Sequence, residues 1–400
     1  MNNKDGIKVV IASFVIQLTL GICYIWSIFQ TGVAQSVFNG NNANAALSFS
    51  LILAFLSLGS PVAGKLAAKY GTRKVVFLGG IFLFVGFFLA SLATSHSGWL
   101  IWLGYGIIAG IGMGLTYSTT IALAQKWYVH KKGQVTGIIV AGLGLGGVVF
   151  TPIISNLIQR FGGIGNGELP TFRTLAFLFL IVCSVGSIFL KEAPTPTVTN
   201  TSASSNDLTA SQMFKKPSFY LIAITFMLSV MGGLMMIGFA RPIAVARGLE
   251  STATIGVLAI ALANSMGRLC WGFISDKLGR INTILLLLVV SGLLSISVAY
   301  VTGMFIYVII ALIGFCFGGF LSTFPSLTSE LFGVKNLATN YGFVLFGFGI
   351  GAIVSSQIAG HFKNLAANDI NLMSPAFFIA AGCSAIGLFL MIALKKMVRN

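Results

Sequence analysis

Stretches of about 20 mostly apolar residues recur along this chain, each long enough to cross a ~30 Å hydrocarbon layer as a helix. Twelve can be marked: 8–31, 46–66, 75–94, 99–124, 134–158, 172–190, 218–242, 252–273, 281–301, 304–328, 337–361 and 374–394. A backbone in lipid must satisfy its own polar groups, so runs of this length read as helices rather than loops. The composition agrees. Charged residues make up 8% of the chain and hydrophobic residues 56%, with a mean hydropathy of +0.95. An ordinary soluble domain carries about 25% charge. A water-facing surface cannot be covered with so little, which excludes a soluble enzyme, a secreted domain and a nucleic-acid binder together. The first run is long enough to span and has no small-residue cleavage site, so it reads as a helix rather than a removable leader. The five cysteines (Cys23, Cys183, Cys270, Cys316, Cys383) all lie within apolar runs. They form neither metal-ligand spacing nor a disulfide framework, and no metal or cofactor is expected.

The charges that remain set a topology. With the N-terminus in the cytoplasm, that side collects Lys4, Lys8, Lys65, Lys69, Arg73, Lys74, Lys126, Lys131, Lys132, Lys191, Lys215, Lys216, Lys277, Arg280, Lys335, Lys395, Lys396 and Arg399. The outer side receives only Arg160, Arg173, Arg241, Arg247 and Lys363. Positive charge favours cytoplasmic loops, so the expectation is a multi-pass protein of the cytoplasmic membrane with both termini inside. The net charge of +16 then describes loops that face an anionic leaflet, not a nucleic-acid surface. One basic residue, Arg268, falls within a span.

The chain divides in two. Residues 191–217 begin Lys-Glu-Ala-Pro-Thr-Pro and continue into Thr, Ser and Asn, the composition of a flexible linker. Six spans precede it and six follow. The expected organisation is a six-helix bundle over 1–190, a cytoplasmic linker over 191–217 and a second bundle over 218–400. The halves also echo each other. Gly64–Gly71 after the second span matches Gly272–Gly279 after the eighth. The fifth span carries Gly142, Gly144 and Gly146, and the eleventh carries Gly347, Gly349 and Gly351 in the same pattern. Glycine at such spacings lets helix backbones approach or bend, so these six positions are candidates for a moving interface.

Two six-helix halves, a midpoint linker and the loop motif Gly272-x-x-x-Asp276-Lys277-x-Gly279-Arg280 resemble the major facilitator superfamily over essentially the whole chain. Within it, four stretches are similar to the oxalate/formate antiporter family, a neighbour of the monocarboxylate transporters. They are Gly21-Ile-Cys-Tyr24-Ile-Trp26-Ser, Met213-Phe-Lys-Lys-Pro217-Ser-Phe-Tyr220, Gly267-Arg268-Leu-Cys-Trp271-Gly-Phe-Ile-Ser-Asp276 and Asn340-Tyr341-Gly342-Phe. The resemblance implies an all-α transporter, with no enzymatic activity, whose two halves rock about a site near the membrane midplane. It implies gating roles for Asp276 and Arg280, a chain that works as a monomer, and a small carboxylate as its partner within the bilayer.

Arg268 stands eight residues before Asp276, about 12 Å along the helix and so near the middle of the membrane. An unpaired cation there costs at least ~2.5–3.5 kcal/mol. The eight acids (Asp5, Glu168, Glu192, Asp207, Glu250, Asp276, Glu330 and Asp369) all fall at helix ends or in loops. A substrate carboxylate would supply the missing charge, and a guanidinium grips a carboxylate with two parallel hydrogen bonds. Snorkelling to the surface or bonding to backbone carbonyls is the competing reading. The resemblance adds weight to substrate binding, because the family's substrate-binding arginine matches this position. Asn264, one turn earlier, faces the same way. It could orient the guanidinium, bond the substrate, or make an ordinary interhelical hydrogen bond. Tyr24 and Tyr117 are mid-span hydroxyls that need partners, and the resemblance places their helices around the cavity. It also makes Phe317, Phe324, Leu345 and Phe348 candidate walls. Trp26, two residues from Tyr24, faces away and reads as structural.

Two departures from the family matter. Oxalate exchangers carry a second basic residue in the eleventh span, where this chain has Phe348. One cation suits one carboxylate, so a monocarboxylate such as formate, lactate or pyruvate is favoured over oxalate. After the second span, Ala68 and Lys69 stand where the second half has Asp276 and Lys277, so the first-half contact must be built differently. With no acid seen inside a span, anion exchange or uniport is favoured over proton cotransport. Nothing in the chain offers a phosphate-binding loop, paired catalytic carboxylates or a pore ring, which leaves enzyme, pump and channel without support.

Overall fold

A computed structural model describes residues 3–194, 207–246, 253–365 and 373–399. Twelve helices among them are long and apolar enough to cross a membrane. In chain order they are α1 (Lys4–Val37), α2 (Asn42–Tyr70), α3 (Thr72–Ala90), α4 (Trp99–Trp127), α5 (Lys132–Arg160) and α6 (Glu168–Phe189). The second six are α7 (Pro217–Ala246), α8 (Ala253–Leu278), α9 (Arg280–Ser297), α10 (Phe305–Phe332), α11 (Leu337–Leu365) and α12 (Ser374–Arg399). Each of the twelve marked runs coincides with one of these helices, although 75–94 and 281–301 extend past the helix ends at Ala90 and Ser297, and several helices overrun their runs into polar flanks. Large apolar side chains such as Phe305 and Phe389 are more than 70% exposed, as a lipid-facing surface requires. Of the sequence features used above, the linker section 195–206, Arg247, and the side chains of Arg241, Lys363 and Arg399 lie outside the described residues.

Two helices are not regular throughout. In α1, a 3₁₀ turn over Gly21–Ile25 separates an inner segment ending at Leu20 from an outer segment, Trp26–Val37. A 3₁₀ stretch inside a helix breaks the i→i−4 ladder and often marks a hinge. The Tyr105 hydroxyl donates to the Cys23 carbonyl within that turn at 3.0 Å. Tyr105 itself lies in a π-helical stretch of α4, Trp102–Ile108.

The chain forms two compact units. The first comprises Met1–His130, Leu145–Leu208 and Phe332–Phe343; the second comprises Lys131–Gly144, Thr209–Leu331 and Val344–Asn400. In the first unit, α4 lies against α2 through glycine. A Cβ on Gly114 would run into the Leu56 carbonyl and the Ser60 nitrogen. In the second unit, Gly267 of α8 packs on the Phe315 carbonyl, and Gly318 of α10 packs on the Asn264 carbonyl and the Arg268 nitrogen. Small residues substitute for the hydrophobic effect at such interfaces, since lipid offers none between helices.

The described ends of the 191–217 stretch are anchored within the first unit. Lys191 pairs with Asp5 at 3.2 Å, and Glu192 accepts from the Thr72 N–H that begins α3 at 2.8 Å. At the other end, Asp207 accepts from the Lys335 N–H at 3.2 Å, and the Leu208 carbonyl accepts from the side chains of Asn336 and Asn340. These contacts lie at the start of α11, which α2 approaches through Gly64 against Thr339. Here the first half has carboxylates from the linker where its own loop offers only Ala68 and Lys69.

Candidate functional site

Arg268 is 1% exposed, one of the largest fully buried side chains in the molecule. Its Nε donates to Asn264 Oδ1 at 2.9 Å, and its Nη1 donates to the Val140 carbonyl of α5 at 3.0 Å. The helical spacing of four brings Asn264 and Arg268 to one face of α8, and the amide fixes one edge of the guanidinium. The α5 carbonyl is within reach because of glycine. A Cβ on Gly137 would meet the Arg268 carbonyl, and Gly272 lies against Gly133 and Gly137. Of the readings left open for Asn264, the bond to the guanidinium is observed. Bonding of Arg268 to a backbone carbonyl is observed as well, so that alternative is partly realised. Val140 was not legible in the sequence as a partner, although the Gly133/Gly137 spacing on α5 marks where another helix can come close.

The apolar candidates gather in the same unit. Phe317, Phe324, Leu345 and Phe348 are all buried. Phe324 stacks on Phe226 at 4.4 Å between ring centroids, and Phe348 lies 6.0 Å from the same ring. Phe226 of α7, which sequence reasoning did not single out, is therefore the shared member of this wall. Phe317 covers Gly233 of α7 and precedes Gly318, whose backbone touches that of Arg268.

Tyr24 and Tyr117 belong to the first unit. Tyr24 sits in the 3₁₀ turn of α1, half-buried, with its ring edge-on to Phe49 at 6.3 Å. Tyr117 is buried in α4, its ring 6.4 Å from that of Tyr341, and Gln17 donates to its carbonyl at 3.2 Å. Trp26 is buried 4.4 Å from the Tyr105 ring, in line with a structural role.

The glycine candidates take close contacts inside their own units. Gly144 packs on Ser265, Gly146 on the Leu18 carbonyl and Gly21, Gly347 on the Ala223 carbonyl and Gly351 on the Met227 carbonyl. Gly142 and Gly349 are buried within α5 and α11. Asp276 accepts from the backbone N–H groups of Gly133 at 3.0 Å and Gln134 at 2.8 Å, the first turn of α5. It also pairs with Arg280, whose Nε lies 3.4 Å from Glu330 Oε2. One carboxylate thus meets a helix start with its unsatisfied N–H groups. Among the described residues, no cluster of His, Cys, Asp and Glu could hold a metal ion.

One acid at a helix end is also enclosed. Glu168, read from sequence as a helix-end residue, is 1% exposed at the start of α6. Sequence position alone gave no sign of this burial.

Residues 9–356 match the profile of the Major Facilitator Superfamily. The chain is 34% identical over 350 residues to an uncharacterized MFS-type transporter, YhjX, of Escherichia coli K12, covering 86% of this chain and 85% of that one. It is 26% identical over 360 residues to the oxalate:formate antiporter of Oxalobacter formigenes, covering 87% and 84%. Among solved structures it is similar to the FucP transporter in its outward conformation, with a TM-score of 0.73 at 13% identity over 98% of this chain and 99% of that one. The human organic anion transporter MFSD10 gives the same TM-score at 14% identity, over 96% and 99%.

Proposed function

Because this chain belongs to the major facilitator superfamily and is a multi-pass membrane transporter rather than an enzyme, we propose that it carries small monocarboxylate anions. Formate, lactate and pyruvate are the candidate type, and Arg268 binds the carboxylate. The observation that carries this reading is a guanidinium buried to 1% exposure on a membrane-spanning helix, with an amide and a carbonyl as its identified partners. An anion arriving at that guanidinium gains a charge-assisted bond in a low-dielectric setting, where such bonds are strongest. Asn264 holds the guanidinium in register. Tyr24 and Tyr117 donate hydroxyls to the anion, and Phe317, Phe324, Leu345 and Phe348 close around its carbon end. Transport proceeds by alternating access of the two repeats, 1–190 and 218–400. Gly142, Gly144, Gly146, Gly347, Gly349 and Gly351 permit the movement, and the Asp276–Arg280 group steadies one state. Both termini lie in the cytoplasm, on the charge distribution above.

A second reading, oxalate:formate exchange, is favoured by the similarity to the Oxalobacter formigenes antiporter. Phe348 argues against it. A dicarboxylate at a site with one cation would bury an uncompensated charge. Counterflow in proteoliposomes loaded with formate, lactate, pyruvate or oxalate separates the two. Monocarboxylate exchange with little oxalate movement is expected, and rapid oxalate exchange against formate would refute the role given to Phe348.

A further inference from the structure

The buried carboxyl of Glu168 is not used by the transport reading. Its Oε2 accepts from the Gly165 N–H at 2.9 Å, while Oε1 has no hydrogen-bond partner among the described residues. No Lys, Arg or His is paired with it there; the described ion pairs are Lys191–Asp5, Arg280–Asp276 and Arg280–Glu330. The carboxyl rests on Gly32 of α1, where a Cβ would overlap it. Only a glycine leaves room for it there.

Gly32 belongs to the outer segment of α1, Trp26–Val37, which joins the rest of the helix through the 3₁₀ turn Gly21–Ile25. Apart from the seat of Glu168, that segment meets α6 through rings. Phe29 lies 4.7 Å from Phe172, and Trp26 stacks near the same ring at 6.2 Å. The outer segment thus seats its Gly32 backbone against a carboxyl that can take up or lose a proton.

We propose that Glu168 is a proton-binding site that fastens the outer segment of α1 to α6 when neutral and releases it when ionised. A neutral carboxyl needs few partners, and this slot offers the N–H of Gly165 and that of Glu168 itself. An ionised one presents two acceptor oxygens and a full charge, which burial without a cation penalises heavily. Ionisation therefore favours entry of water, and the movable wall of the slot is the segment bearing Gly32. One other ionisable side chain lies near the far end of the segment, His96, in the connection whose Gly98 packs on Val37 and Phe38. The outer segment of α1 and the 161–167 connection contain no titratable side chain. On α6, Arg173 lies over the Phe88 ring at 6.0 Å; Arg160 at the end of α5 is exposed; and Tyr105 of α4 is engaged with the Cys23 carbonyl. The fastened state is the low-pH state, and release grows as pH rises. The proposal concerns α1 whatever anion is carried, so it stands apart from the role of Arg268.

Hydrogen–deuterium exchange of the full chain in lipid nanodiscs tests it without substrate, between about pH 5 and 9 and with intrinsic exchange rates corrected. In the wild type, residues 26–37 should lose protection several-fold as pH rises. Glu168→Gln, a permanently neutral mimic, should stay protected throughout, and Gly32→Ala should be unprotected at every pH. Wild-type protection independent of pH would overturn the proposal. So would a Glu168→Gln profile that follows the wild type, or full protection in Gly32→Ala. If Glu168→Gln fails to insert, the wild-type profile and Gly32→Ala still decide.

Discussion

At the scale of single residues, Asn264 and Tyr105 hold other groups in place. Asn264 Oδ1 takes the Arg268 Nε–H, and a hydrogen bond to a charged group contributes about 1.5–3 kcal/mol. Asn264→Ala should therefore raise the apparent KM for a carboxylate by about tenfold or more. Maximal flux and membrane insertion should change little. Uptake kinetics in proteoliposomes would show the split, and unchanged KM would remove Asn264 from the site. Tyr105 matters for the hinge. Its hydroxyl satisfies the Cys23 carbonyl in the 3₁₀ turn of α1, and an orphaned buried acceptor costs about 1–3 kcal/mol. Tyr105→Phe should lower thermal stability in detergent by that order, whereas an unchanged melting temperature would mean that water replaces the hydroxyl. The Asn264–Arg268 pairing could be anticipated from spacing, because both lie on one helix. The Tyr105 contact could not, because it joins residues 82 positions apart and serves a helix break that no proline announces.

At the scale of elements, helix starts and glycine seams organise both units. Asp276 meets the first N–H groups of α5, those of Gly133 and Gln134, as a capping carboxylate does. Asp276→Ala should cost about 0.5–2 kcal/mol by the range for lost caps, with a further loss because Arg280 keeps only Glu330. A melting curve of the purified variant checks this; a stability equal to wild type would make the contact incidental. Apolar run length located the twelve membrane-length helices, since the bilayer enforces that one dimension; it did not locate the short helix Ala210–Met213. It could not locate the 3₁₀ turn of α1 or the π-helical stretch of α4, because both sit inside runs whose composition is uniformly apolar. The matched loop motifs drew attention to Asp276, which accepts from the Gly133 and Gln134 N–H groups. They also showed that Ala68 and Lys69 cannot serve the first half. That Asp207 and Glu192 of the 191–217 stretch make carboxylate contacts near α11 and α3 was hidden, because a Thr/Ser/Asn-rich composition carries no sign of where its ends dock.

At the scale of the whole molecule, a scarce charge inventory does two separate things. Most of the basic residues sit at helix ends or in connections. Arg268 lies deep in a span, buried and bonded to Asn264 and to the Val140 carbonyl. The fold was legible because lipid leaves few alternatives to a helix bundle. The chemistry of the site was legible only as far as one guanidinium, since apolar walls such as Phe226 and Phe324 look like any membrane core until their partners are known. The first unit also encloses a protonatable carboxyl, that of Glu168. The transport proposal rests on Arg268 holding the transported anion. The most direct measurement is uptake of a radiolabelled monocarboxylate by proteoliposomes containing wild type, Arg268→Lys or Arg268→Ala at matched protein levels. Both variants should insert normally, uptake by Arg268→Ala should fall to that of empty liposomes, and Arg268→Lys should retain at most a small fraction because a point charge cannot reproduce the two-pronged grip. Near-wild-type uptake by Arg268→Ala would contradict the account.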